Sequence, residues 1–136
     1  LPGRYMARVC SAGIPCISFF NDFTVELKFT RANDTSGEAW GAADVVDDRS
    51  NTGWMSSMTL FNDKPVIAYY SLVSGDLGLA LADDVAGGSW IDLRTLDSDG
   101  NTGGDPTVLP LGDGSTLGVA YFDVGDEDLR WVGGIN

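Results

Sequence analysis

Histidine is absent from this chain, cysteine occurs only twice, and eight bases stand against twenty acids. Without histidine, nucleophile systems of the Ser-His-Asp and Cys-His kind are excluded, and most zinc sites go with them. Two cysteines alone do not complete a structural zinc site. Seventeen of the acids are Asp and six of the bases are Arg, and the resulting net charge of −12 repels nucleic acid and anionic membrane surfaces. No nucleic-acid partner and no membrane partner is therefore expected. Long apolar runs are also missing: no stretch of about 20 residues is apolar enough to span a bilayer, and Leu1-Pro2-Gly3-Arg4-Tyr5 opens no signal-peptide core. The chain is expected to be soluble, and secretion is compatible with a bridge between Cys10 and Cys16, six residues apart on adjacent strands. As buried apolar residues replacing Leu60 and Val66, the two are explained equally well.

What the chain does contain is 136 residues, 43% of them apolar, with 18 glycines, enough for one small domain. Laid against itself it repeats at a period of 50. Pro15 recurs as Pro65, Leu27 as Leu77, Gly37 as Gly87, Trp40 as Trp90, and Asn51-Thr52-Gly53 as Asn101-Thr102-Gly103. A third copy carries a two-residue insertion around Gly112-Asp113-Gly114, after which Ala68-Tyr69 recurs as Ala120-Tyr121 and Leu77 as Leu129. The units are 1–50, 51–100 and 101–136.

Each unit reads as short strands separated by Gly, Asn, Asp and Ser turns. In the middle unit the expected strands are Ser56 to Leu60, Val66 to Tyr70, Asp76 to Ala82 and Trp90 to Leu96. The second strand of every unit is apolar without alternation, as in Val66-Ile67-Ala68-Tyr69-Tyr70, which marks burial on both faces. A small residue, Ser18, Ala68 or Ala120, precedes two large aromatics in all three copies. This pattern predicts an all-β chain of stacked four-stranded blades, a partial β-propeller, with a sandwich as the structural alternative. The third unit has nothing to match the Trp90 strand, so eleven strands are expected.

Between the third and fourth strands stand Asp34-Thr35-Ser36-Gly37-Glu38-Ala39-Trp40 and Asp84-Val85-Ala86-Gly87-Gly88-Ser89-Trp90, both Asp-x-x-Gly-x-x-Trp. They resemble degenerate Asp boxes of the sialidase-like propellers. In that family the box is a folding element away from the active site, so the resemblance implies a fold and no activity. It also implies six blades, and two copies of a three-blade chain joined head to tail would supply them as a cyclic homodimer. The alternative is a part of a longer propeller.

In such a ring the loops entering the first strands share one mouth with those between the second and third strands. That mouth is acidic: Asp47, Asp48, Asp97, Asp99 and Asp105 on one set of loops, Asp22, Asp123, Asp126 and Glu127 on the other. Asp97, Asp99, Asn101 and Asp105 alternate oxygen donors with turn glycines, a pattern that suits calcium, although the same residues are ordinary turn formers. Trp54 departs from the repeat, its counterpart being Gly104. Beside Asn51, Asp47, Asp48, Asp22 and Asp123, it makes a plate on which a sugar ring can stack, unless it fills the gap between blades. Arg8 stands where Met58 and Val108 stand in the other units and needs an acid or the channel. The remaining bases do not reproduce the three-arginine clamp of sialidases. The function expected is a carbohydrate-binding module. The alternatives are a glycan hydrolase or lyase using a carboxylate pair, or a propeller fragment with a purely structural role.

Overall fold

The structure is a computed structural model that describes residues 3–49 and 51–136, without the Cys10 side chain. Eleven strands follow one another: β1 (Gly3–Ser11), β2 (Ile14–Asn21), β3 (Glu26–Arg31), β4 (Asp44–Asp47), β5 (Thr52–Phe61), β6 (Lys64–Ser71), β7 (Asp76–Leu81), β8 (Asp92–Asp97), β9 (Gly104–Leu111), β10 (Thr116–Asp123) and β11 (Asp128–Ile135). They form three antiparallel sheets in the orders β1-β2-β3-β4, β5-β6-β7-β8 and β9-β10-β11. Among the described residues there is no helix, and hence none long and apolar enough to cross a membrane.

Turn chemistry explains the meander. Ala12-Gly13 and Asn62-Asp63 close the first hairpins of the first two sheets with both central residues at positive φ, the geometry whose twist matches that of the flanking strands. The third sheet spends its two extra residues on a wider turn, in which the Gly114 amide donates to the Leu111 carbonyl at 2.8 Å.

Two cores separate the three layers. Leu27, Phe29 and Val46 of the first sheet meet Ile67, Tyr69, Ala80 and Trp90. Val66, Ala68, Leu77 and Leu79 on the other side of the second sheet meet Val108, Leu117, Val119 and Tyr121. Strand β6 thus sends alternate side chains into different cores, which is why it shows no polar alternation.

Two strand boundaries depart from expectation. Strand β5 begins at Thr52, so Trp54 lies inside it. Strand β8 begins at Asp92, which leaves Trp90 in the preceding turn. There the Trp90 indole donates to the Gly87 carbonyl at 2.8 Å and packs on Phe29 of the first sheet at 5.1 Å. Trp40 repeats the donation to Gly37 at 2.9 Å, while Asp34 and Asp84 accept amide hydrogens of their own turns. The turn is closed by its ends, and the indole is a wedge between sheets.

Candidate functional site

The connectors between sheets build the shared face of the molecule. In Asn51-Thr52-Gly53 the Asn51 carbonyl accepts from Leu72, at the β6–β7 loop, and the Thr52 hydroxyl donates to the Asp47 carbonyl at 2.9 Å. In Asn101-Thr102-Gly103 the Asn101 carbonyl accepts from Val124 at 2.8 Å. Gly53 and Gly103 have positive φ, and a Cβ at either would collide with the backbone of Leu27 or Leu77. The recurrence of this tripeptide is therefore steric: each chain crossing presses against the preceding sheet.

Behind each connector a carboxylate crosses the seam to a tyrosine. The Tyr69 hydroxyl donates to Asp47 Oδ2 at 2.6 Å, and Asp47 is 1% exposed. Arg49 donates to both oxygens, with Nε 2.9 Å from Oδ1 and Nη2 2.7 Å from Oδ2. Burial opposes ionisation of Asp47, but the hydrogen bonds from Arg49 and Tyr69 outweigh it and hold the carboxyl below its ordinary value. Burial first, and the adjacent carboxylate second, push the Tyr69 hydroxyl up.

The second seam repeats the pair with a cation from elsewhere. Tyr121 donates to Asp97 Oδ2 at 2.6 Å, and its hydroxyl is pushed up to about 12 by burial and by Asp97. Here Arg130 of β11 supplies the charge, 3.5 Å from Asp97, 2.6 Å from Asp123 and 3.1 Å from Asp126. In the repeat, Arg130 corresponds to Gly78, and Arg49 corresponds to Asp99. A Cβ on Gly78 would lie 2.5 Å from the Tyr69 ring. The glycine thus leaves room for Tyr69 and opens a cavity of about 270 Å³ beside Arg49.

A second feature lies on the innermost strands. Tyr5, Met55 and Asp105, at a spacing of 50, all have positive φ, at 53°, 49° and 46°. Each falls at a register break in the pairing of its strand with the next. These are β-bulges that turn one side chain out of the ladder. Serines tie the innermost strands to one another: Ser56 donates to the Tyr5 carbonyl at 2.8 Å, and Ser57 accepts from the Val108 amide at 3.0 Å. Tyr5 and Met6, Met55 and Ser56, and Gly104 and Asp105 then border one open cavity of about 490 Å³, closed by Phe122 and Val124. Behind the Tyr5 ring lies Trp54, 4.7 Å away, with Phe20 behind it at 5.2 Å. Left-handed conformations of bulky residues cost about 1–2 kcal/mol each, and their convergence on one cavity is a reason to look there for function.

Most of the residues singled out by sequence are placed otherwise. Trp54 backs Tyr5 and does not border the cavity. Asp47, Asp97 and Asp123 are committed to the seams, and Asp123 Oδ1 also accepts two amides of its own loop. Asp22 pairs with Arg4 at 2.9 Å, and Asp48 is exposed. Asn51 serves through its carbonyl, while Asn101 Oδ1 accepts from the Tyr70 hydroxyl at 2.5 Å. Of the four proposed calcium ligands only Asp105 faces the cavity; Asp99 is exposed and donates its amide to Asp97. Among the described residues no three His, Cys, Asp or Glu side chains are grouped to hold a metal ion. A Cys10–Cys16 bridge falls outside the described side chains; Cys16 itself is buried. Arg8 is exposed and borders a groove on the outer face of the first sheet. Tyr5 and Met55 escaped the sequence reading because a bulge leaves no compositional mark. Their period of 50 with Asp105, at a position where the three residues share no chemistry, was the available signal.

No protein-family model and no curated protein matches the chain. Solved structures do. Bacteroides ovatus xyloglucan PUL GH43B aligns with a TM-score of 0.63 at 16% identity, over 96% of this chain and 26% of that one. A bifunctional GH43-CE protein of Bacteroides eggerthii aligns at 0.60 and 12% identity, over 93% of this chain and 18% of that one. The chain thus spans about a quarter or less of these proteins. GH43 glycoside hydrolases have a five-bladed β-propeller fold, so the three sheets are propeller-like blades, and nothing in the likeness points to the sialidase type.

Proposed function

We propose that the central cavity binds carbohydrate without hydrolysing it. The observation that carries this reading is the convergence of three left-handed bulges, which set a tyrosine plate, two methionines and one carboxylate around an open space of about 490 Å³. A pyranose ring offers an apolar C–H face to an aromatic plate, while its hydroxyls donate to a carboxylate. Tyr5, backed by Trp54, is the plate, and Asp105 is the acceptor. Glycoside hydrolysis ordinarily needs two carboxyl groups flanking the bond, and among the described residues bordering this cavity Asp105 is the one acid. The Asp-x-x-Gly-x-x-Trp turns act as folding elements in this reading. Titration of the protein with a glycan panel, followed by Tyr and Trp fluorescence, tests it. Binding lost in Tyr5→Ala and weakened in Asp105→Asn, with no turnover of chromogenic glycosides, is expected. Turnover, or binding indifferent to both substitutions, would refute it.

A second copy of the chain is proposed to cover the outer faces of the end sheets. On the first sheet, Ile17, Phe19, Thr30 and Trp40 border two adjoining grooves. The repeat equates them with Ile67, Tyr69, Ala80 and Trp90, all four of which are buried with Leu27 and Phe29 of the preceding sheet. On the third sheet, Leu129 and Trp131 are 80% and 52% exposed, and the repeat equates them with Leu27 and Phe29. Trp131 of one copy therefore fits beside Trp40 of the other as Phe29 fits beside Trp90. A half-turn makes this contact twice and gives six blades. Phe19 lacks the hydroxyl of Tyr69 and Tyr121, so this seam is apolar. Light scattering at twice 14.4 kDa, reduced to the monomer by Trp131→Asp, is expected; a folded monomer of the unaltered chain would refute the assembly.

A further inference from the structure

We infer that the cavity selects uncharged sugars and rejects sugar acids, a conclusion that rests on the carbohydrate reading above and adds its chemical class. Asp105 is exposed at the bulge of β9, and among the described residues no base borders the cavity with it. All eight bases are placed elsewhere. Arg4 pairs with Asp22, Lys28 with Glu26, Arg49 with Asp47, Arg94 with Asp92, and Arg130 with Asp97, Asp123 and Asp126. Arg31 donates to the Ser11 carbonyl. Arg8 borders a groove on the outer face of the first sheet, and Lys64 borders a cavity with Asp83 and Asp92. A carboxylate entering beside Asp105 thus finds no counter-charge, and it approaches a chain of net charge −12.

The acceptor chemistry runs the same way. A carboxylate only accepts hydrogen bonds, so it reads sugar hydroxyls as donors. A sugar acid replaces a donating hydroxymethyl with a second acceptor, which turns a favourable contact into a repulsive one. The remaining walls, Met6, Met55, Phe122 and Val124, offer apolar contact and no compensating charge. The Ser56 hydroxyl is already committed to the Tyr5 carbonyl.

The test compares neutral methyl glycosides with the methyl uronides of the same ring stereochemistry, titrated into the full chain at low ionic strength and read by Trp fluorescence or NMR shifts. A like charge at about 5–6 Å in a half-solvated site should weaken the uronide by about tenfold. Asp105→Asn should bring the two affinities together, and asparagine tolerates the positive φ at this position. Raising the salt concentration with the unaltered protein supplies the same test without a substitution, because screening should shrink the ratio. Uronides binding as tightly as their neutral partners would overturn the inference while leaving the carbohydrate reading in place. So would a ratio that neither Asp105→Asn nor salt reduces. Failure of every glycoside to bind would overturn both.

Discussion

Replacing Tyr69 with phenylalanine isolates the first seam. The ring packs against Gly78 and stays, as Phe19 shows at the equivalent place in the first sheet, so only the hydroxyl is lost. That hydroxyl donates at 2.6 Å to an Asp47 carboxylate that is 1% exposed. A hydrogen bond to a charged group contributes about 1.5–3 kcal/mol, and burial of its acceptor argues for about 2. For a chain of this length that is roughly 6–10 °C in melting temperature. Tyr121→Phe should cost less, about 1 kcal/mol, because the Asp97 carboxylate is more accessible and water can replace the lost donor. Urea unfolding of both variants measures the difference. Acid adds a second reading. The folded Asp47 carboxyl lies below its ordinary value, so its stabilisation is present above the unfolded value near 3.9 and is lost as pH falls through the folded one. Tyr69→Phe should shrink that acid-dependent loss. A variant within 0.5 kcal/mol of the parent, or Tyr121→Phe costing the more, would refute the buried seam as the stronger one.

Three further outcomes are expected. Gly103→Ala should destabilise by about 3 kcal/mol, since it adds a left-handed alanine to a Cβ lying 2.6 Å from the Leu77 Cα; a change under 1 kcal/mol in urea unfolding would contradict the close crossing. Val25 has φ 55° where the second sheet has Gly75 at 77°, so Val25→Gly should stabilise by about 0.5–1 kcal/mol, strain relief exceeding the entropy of the added glycine; a lower melting temperature would contradict it. Above pH 10 the protein should lose stability progressively, because Tyr69 and Tyr121 both hold their protons in the folded state more tightly than a free phenol does, Tyr121 up to about pH 12. Tyr121→Phe should make that alkaline limb shallower between pH 10 and about 12, the rest belonging to Tyr69, and parallel limbs would exclude Tyr121 as a source.

Much of the architecture is legible in residues that meet the same neighbour in every copy. Leu27 and Leu77 and the two Asn-Thr-Gly segments recur because each sheet packs on the next in one way, while Trp40 and Trp90 recur because each indole closes its own turn on Gly37 or Gly87. The doubly buried second strand announced itself for the same reason, and turn residues placed the hairpins through local backbone preferences alone. The partners across a seam were present in the period without being readable. Asp47 and Tyr69 repeat as Asp97 and Tyr121, yet their acidic and aromatic characters separately suggested a mouth and a core. Only the approach of two sheets brings the hydroxyl to 2.6 Å of the carboxylate and turns a candidate ligand into a structural bond.

Trp54 shows the limit most directly. Its departure from the repeat is visible in sequence, but Tyr5 and Phe20, 49 and 34 positions away, decide that it packs between their rings and does not border the open cavity. The bulges at Tyr5, Met55 and Asp105 depend on the register between neighbouring strands and on Ser56 reaching the Tyr5 carbonyl. The repeating sheets are legible in the chain, because local turns and nearest-neighbour packing act over short and periodic distances. Which acids are bound into seams, and which one borders the open cavity, depends on the fold, because a side chain's charge has no role until its partners across the fold are in place.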